Sequence, residues 1–177
     1  MLVRKAKEAR IPVIIATQMM ESMISSQIPT RAEVNDVANS IMDGADAVML
    51  SGETSVGEYP LEVIEAMRSI IVGVEDSELI EGYVEGVQCI NERFISKSVC
   101  STAAKMANEI GAAAITTLTN SGYTAFQISA RRPKANILAF SDNPRILAML
   151  NLLWGVKAKY YDKMVSTDET VEDLNKM

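Results

Sequence analysis

Short apolar runs and amphipathic stretches alternate along this chain, each beginning where the other stops. Residues 3–10 carry helical spacing, and residues 13–15, following Pro12, read as a fully buried strand. Thr30-Arg-Ala-Glu33 is a capping box, with the threonine oxygen placed for the Glu33 amide and the Glu33 carboxylate for the return bond. The helix it opens runs to Asp43. Its apolar positions Val34, Val37, Ala38, Ile41 and Met42 form one stripe, and Gly44 stops it. A strand over 47–50 and a loop over 51–59 follow. Pro60 then starts a helix whose expected buried face is Ile64, Met67, Ile71 and Val74. The order β-α-β-α predicts parallel strands.

From Glu75 to Glu92 the periodicity fades and acidic residues gather, which reads as a solvated connection. Beyond it the pattern predicts a helix over 97–110 closed by Gly111, a strand over 114–118, a helix over 122–131 and a strand over 136–140. A helix over 144–154, a strand over 156–161 and a last helix capped near Ser166 or Thr167 complete it. The expected organisation is therefore one unit over 1–74, a connection over 75–91 and a second α/β unit over 92–177. The helical patterns at both ends lack outer caps, so both ends read as cut.

Composition narrows the chemistry. The 177 residues are 48% hydrophobic and 23% charged, as in soluble globular chains. No apolar run approaches the ~20 residues that span a bilayer, and the charged N-terminus has no signal core, so a cytoplasmic location is the default expectation. A net charge of −6 argues against a nucleic-acid platform. With no histidine, the commonest general base and the Ser-His and Cys-His nucleophile systems are excluded, leaving carboxylates, Lys, Arg, hydroxyls or a hard metal ion. Cys89 and Cys100 lack partners for a disulfide or zinc site and read as ordinary reduced thiols. Met19, Met20, Met23, Met42, Met49 and Met67 read as adaptable core filler, and Trp154 as the packed end of an apolar helix.

Chemistry is expected at the carboxyl ends of the two N-terminal strands, the open and site-forming edge of a parallel sheet. Thr17 and Gln18 end one of them and suit orientation of a carboxylate or a water; alternatively they merely finish a strand. Ser51 ends the other, with Gly52 permitting close approach of backbone and ligand. Glu53 reads either as a pocket acid or, by preference, as an organiser of loop amides. Arg31, at a helix start where the dipole disfavours a cation, is either solvated or paired across a subunit interface. Thr119, Asn120, Ser121, Gly122 and Thr124 link a strand to a helix and form a phosphate cradle or a polar turn without a ligand. Asn143 before Pro144 reads as a helix cap.

Ala16-Thr-Gln-Met19, Pro29-Thr-Arg-Ala-Glu33, Asp36-Val-Ala-Asn39, Asp43-Gly-Ala-Asp46 and Met49-Leu-Ser-Gly-Glu-Thr54, in this order, resemble the pyruvate kinases. Leu118-Thr-Asn-Ser-Gly122, Arg132-Pro133 and Ser141-Asp-Asn-Pro144 resemble that family's C-terminal domain, so the likeness covers essentially the whole chain. It implies the terminal βα units of a TIM-type barrel followed by a three-layer α/β domain with a mostly parallel sheet. It also implies phosphoryl transfer from phosphoenolpyruvate to ADP, giving pyruvate and ATP, with Mg²⁺ and K⁺. Thr17 would then line the pyruvate pocket, supported by Gln18, Gly52 and Glu53, and Ser51 would belong to the network that protonates the enolate. Arg31 would lie at a dimer interface of a homotetramer. The 119–124 loop would hold an activating sugar phosphate.

The family's catalytic lysine, its metal-binding carboxylates, its K⁺ site and its lid domain have no counterpart in these residues. The chain is therefore expected to be inactive alone. A competing reading is a non-catalytic module over 92–177 that binds a phosphometabolite or mediates oligomerisation.

Overall fold

A computed structural model describes residues 2–9, 11–77, 93–163, 169 and 172–173. The N-terminal part opens with helix α1 (Leu2–Ala9) and strand β1 (Ile14–Ile15), followed by a 3₁₀ turn at Glu21–Ile24. Helix α2 (Arg31–Met42) leads to strand β2 (Ala47–Val48), short helix α3 (Gly52–Ser55) and helix α4 (Pro60–Glu75). The capping box forms as the sequence requires: Thr30 Oγ1 accepts from the Glu33 amide, and the Glu33 carboxylate accepts from the Thr30 amide. Gly44 takes the left-handed conformation, φ +95°, that ends α2 and turns the chain into β2.

β1 and β2 pair in parallel with Ile14 opposite Ala47 and Ile15 opposite Val48, and α2 is the crossover between them. Their core is built largely from sulfur-containing side chains. Met19, Met20, Met23, Val37, Val63 and Met67 are buried together, with Ile70 and Ile71 packed against them. Of the six methionines expected as core filler, two fall outside this cluster: Met42 is half-buried, and Met49 is 44% exposed at the site described below.

Several expectations are corrected here. The 13–15 strand is not fully buried, because β1 has β2 as its single sheet neighbour among the described residues and Ile14 is left 46% exposed. The 47–50 strand keeps ladder pairing at 47–48 alone, and the 51–59 loop contains α3. On α4 Met67 is buried and Ile71 packs on the core as expected, but Val63 enters that core in place of Ile64, which is 52% exposed.

The C-terminal part contains helix α5 (Phe94–Glu109), strand β3 (Ala114–Leu118), helix α6 (Tyr123–Ser129) and strand β4 (Asn136–Ser141). Helix α7 (Pro144–Leu150) and strand β5 (Val156–Tyr160) follow. The three strands form a parallel sheet in the order β3-β4-β5, so each crossover helix joins spatial neighbours. Cys100 of α5, Ala125, Phe126 and Ile128 of α6, and Leu150 of α7 meet Ile137, Ala139 and Val156 in one cluster on a single face of the sheet.

α5 starts three residues before its expected beginning. α7 stops at Leu150 rather than 154, and the Asn151 side chain accepts from the Ala158 amide at 3.1 Å, closing the turn into β5. Trp154 therefore sits in a turn and not on a helix. There it meets the N-terminal part: Arg132 from the end of α6 lies over the indole, and Asp46 beside β2 accepts from the Trp154 amide. Cys89 and the cap near 166–167 lie outside the described residues. Cys100 is a free, buried thiol whose pKa burial raises, an ordinary structural cysteine.

Candidate functional site

Parallel pairing with β1 beside β2 brings the two polar strand tips side by side. Thr17, Gln18, Ser51, Gly52 and Glu53 line one open concavity of about 560 Å³ together with Ala16, Glu21, Ile24 and Met49. Every residue expected at the strand tips is thus in one place. The side chains available there are two hydroxyls, an amide and two carboxylates.

Neighbouring groups fix most of these side chains. Thr17 Oγ1 lies 2.8 Å from Met19 Sδ, which ties the strand tip to the methionine core. Gln18 Nε2 donates to Glu21 Oε1 at 2.9 Å. Glu53, buried, accepts from the Ser51 amide at 2.9 Å, which is the loop-organising role the sequence favoured for it. The Ser51 side chain is exposed and has no hydrogen-bond partner among the described residues, so its hydroxyl faces the concavity uncommitted. Such an arrangement orients a small ligand or a water by hydrogen bonding rather than by charge.

The wall of the concavity depends on Glu33. Its carboxylate accepts from the Ser22 amide at 2.7 Å, the Ser22 hydroxyl at 2.5 Å, the Thr30 amide at 2.8 Å and the Thr30 hydroxyl at 2.8 Å. Burial alone would raise the Glu33 pKa, but the hydrogen bonds from Ser22 and Thr30 outweigh it and hold the carboxyl below its ordinary value. The 3₁₀ turn that supplies Glu21 and Ile24 is thereby locked to the start of α2. Sequence reasoning placed Glu33 in the capping box but missed its hold on Ser22, and missed Glu21 although the Gln18-to-Glu21 spacing offered a signal.

Arg31 is exposed at the first position of α2, apart from the concavity. The 119–124 loop lies on the other sheet. Thr119 is buried and accepts from the Gly122 amide at 3.0 Å, while Thr117 and Thr124 share a hydroxyl hydrogen bond of 2.8 Å. Asn120 and Ser121 are exposed. Gly122 adopts φ +78°, and a Cβ there would meet Leu150 Cδ2 at 3.2 Å. Asn143 caps α7 as expected, accepting from the Arg145 amide at 3.0 Å. Among the described residues no group of three or more His, Cys, Asp or Glu side chains could hold a metal ion, and no helix is long and apolar enough to cross a membrane.

Barrel-type βα units with a hydrogen-bonding site at their strand tips, followed by a parallel-sheet α/β unit, define a two-part α/β protein of the barrel class. Residues 1–64 match the family described as pyruvate kinase, barrel domain, and residues 97–177 match pyruvate kinase, alpha/beta domain. The chain belongs to the pyruvate kinase family. It is 40% identical over 171 residues to pyruvate kinase 2 of Synechocystis, covering 97% of this chain and 28% of that protein. To the pyruvate kinase of Agrobacterium vitis it is 42% identical over 155 residues, covering 88% and 32%. A crystal structure of a Cryptosporidium parvum pyruvate kinase superposes with a TM-score of 0.81 at 31% identity, covering 98% of this chain and 35% of that one. A second, in complex with ADP, gives 0.79 at 32% identity, covering 98% and 35%. The chain spans about a third of the length of the curated relatives it matches.

Proposed function

We propose that this chain supplies part of the substrate pocket of a pyruvate kinase, with Thr17 and Ser51 as the hydroxyls that meet the three-carbon substrate. The observation that carries the reading is that both line one concavity on adjacent parallel strands. In the complete enzyme the reaction is phosphoryl transfer from phosphoenolpyruvate to ADP, a glycolytic step that depends on positioning and charge neutralisation. Thr17 orients the substrate. Ser51, with its hydroxyl uncommitted, passes a proton toward the enolate carbon through a water, which needs no histidine. Gln18, Gly52 and Glu53 hold these two in place.

The described carboxylates at this site do not fit the Mg²⁺ and K⁺ that the family uses. Glu53 is committed to the Ser51 amide and Glu21 to Gln18, and no third donor joins them among the described residues. The ion ligands are therefore assigned to other parts of the complete enzyme. Arg31 is assigned to a subunit interface of a homo-oligomer, and the 119–124 loop to a sugar-phosphate effector. The setting is cytoplasmic. The test is a lactate dehydrogenase-coupled assay with phosphoenolpyruvate, ADP, Mg²⁺ and K⁺. Turnover by the complete enzyme that falls on Ser51→Ala supports the reading, and an unchanged rate removes Ser51 from the site.

A further inference from the structure

The place where the two parts meet holds more charge and more constrained backbone than packing alone requires. Arg132 is the one non-glycine residue with positive φ among those described, at +49°. It lies two residues beyond Ala130, the C-cap of α6, in the left-handed conformation that a Cβ disfavours. An arginine in that position implies that its side chain has a function. Arg132 is 8% exposed, and its guanidinium donates from Nη2 to the Ala45 carbonyl of the N-terminal part at 2.6 Å and lies 4.7 Å over the Trp154 ring.

Trp154 is held on every polar atom. Its carbonyl accepts from Ser129 Oγ at 2.7 Å, its indole N–H donates to Glu75 at 2.5 Å, and its amide donates to Asp46 Oδ1 at 3.3 Å. The other oxygen of Asp46, Oδ2, accepts from the Val13 amide at 2.9 Å, immediately before β1, while Lys7 Nζ lies 3.6 Å from Oδ1. One carboxylate thus joins a turn of the C-terminal part to the starts of β1 and β2. Thr17 lies four residues beyond Val13, and Ser51 five beyond Asp46.

We propose that Asp46 is a positioning residue, through which the Arg132–Trp154 contact of the C-terminal part holds the register of β1 and β2 and hence the placement of Thr17 and Ser51. The inference rests on the reading of those two residues as the substrate-facing hydroxyls. Both oxygens of the carboxylate are used as acceptors. An asparagine offers a single acceptor oxygen, so Asp46→Asn must give up one of the two amide bonds.

The test is amide hydrogen exchange on the 177-residue chain, read at Val13, Ala47 and Met49, with far-UV circular dichroism as the folding control. Arg132→Gly is the decisive variant, because it relieves the left-handed backbone and removes only the side chain. The expected result is exchange about tenfold faster at Val13, Ala47 and Met49 while β3 and β4 exchange as before, in both Arg132→Gly and Asp46→Asn. If Asp46→Asn does not fold, Arg132→Gly alone decides. Unchanged or slower exchange at those amides would overturn the proposal, since a helix-ending role alone predicts that outcome. The readout is exchange and not turnover, so a failure of the catalytic reading would leave this result standing and distinguishable.

Discussion

The Ser51 amide donates to Glu53 Oε2 at 2.9 Å, so the carboxylate in the concavity wall holds the backbone that presents the hydroxyl. Glu53 is buried and Ser51 exposed, and substitutions at the two should separate cleanly. Glu53→Ala leaves the Ser51 amide without its partner and is expected to cost about 1–3 kcal/mol in urea unfolding. Ser51→Ala should stay within about 0.5 kcal/mol of the parent, as exposed substitutions do. Equal losses would contradict the division of roles.

Glu33 makes acid sensitivity readable. Its folded pKa lies below the ordinary value of 4.5, so near and below 4.5 the unfolded chain binds the proton first. The stabilisation is complete above that value and is lost as pH falls through the folded pKa. Thermal melts from pH 7 to pH 3 should therefore show a smaller acid-induced drop in Glu33→Gln than in the parent, along with a lower Tm at pH 7. Parallel curves would show that Ser22 and Thr30 do not hold the carboxyl as described.

Lys7 gives a signature of the same sign in the alkaline range. Burial first, and the Arg132 charge second, lower its pKa from 10.5 to about 8, against the pull of Asp46. Between these two values the unfolded chain binds more protons, so the Lys7 contribution to stability rises as pH increases from 8 to 10.5. Urea midpoints at pH 7.5 and pH 10 should show the parent gaining relative to Lys7→Met. A constant difference would remove Lys7 from the buried junction.

Gly122 tests the turn after β3. With φ +78° and Leu150 Cδ2 3.2 Å from where a Cβ would sit, Gly122→Ala combines backbone strain with crowding. A loss of about 1–3 kcal/mol is expected in chemical denaturation. Gly73, which has open space around it, serves as the control: Gly73→Ala in the interior of α4 should be neutral or stabilising.

Local signals carried much of this architecture. The Thr30–Glu33 cap, Gly44 after α2, Pro60 and Pro144 at their helix starts, and the apolar runs of β3 and β4 each specify an element within a few residues of sequence. The strand-tip hydroxyls were legible because a parallel arrangement brings Thr17 beside Ser51 once the two strands pair. What the sequence could not reveal depends on contacts made at long range. On α4 the sequence pattern marks Met67 and Ile71 correctly but not the choice of Val63 over Ile64, because both are apolar and packing on α2 selects between them. Trp154 was assigned to a helix end, since nothing local shows that Asp46, 108 residues away, and Arg132 draw it into a turn.

The central claim is that the hydroxyls of Thr17 and Ser51 act on the reacting substrate, and kinetics of the complete enzyme carrying Thr17→Val or Ser51→Ala test it most directly. A fall of about tenfold or more in kcat is expected for each, with urea midpoints unchanged. Wild-type kcat in both variants would place the two hydroxyls outside the reacting centre.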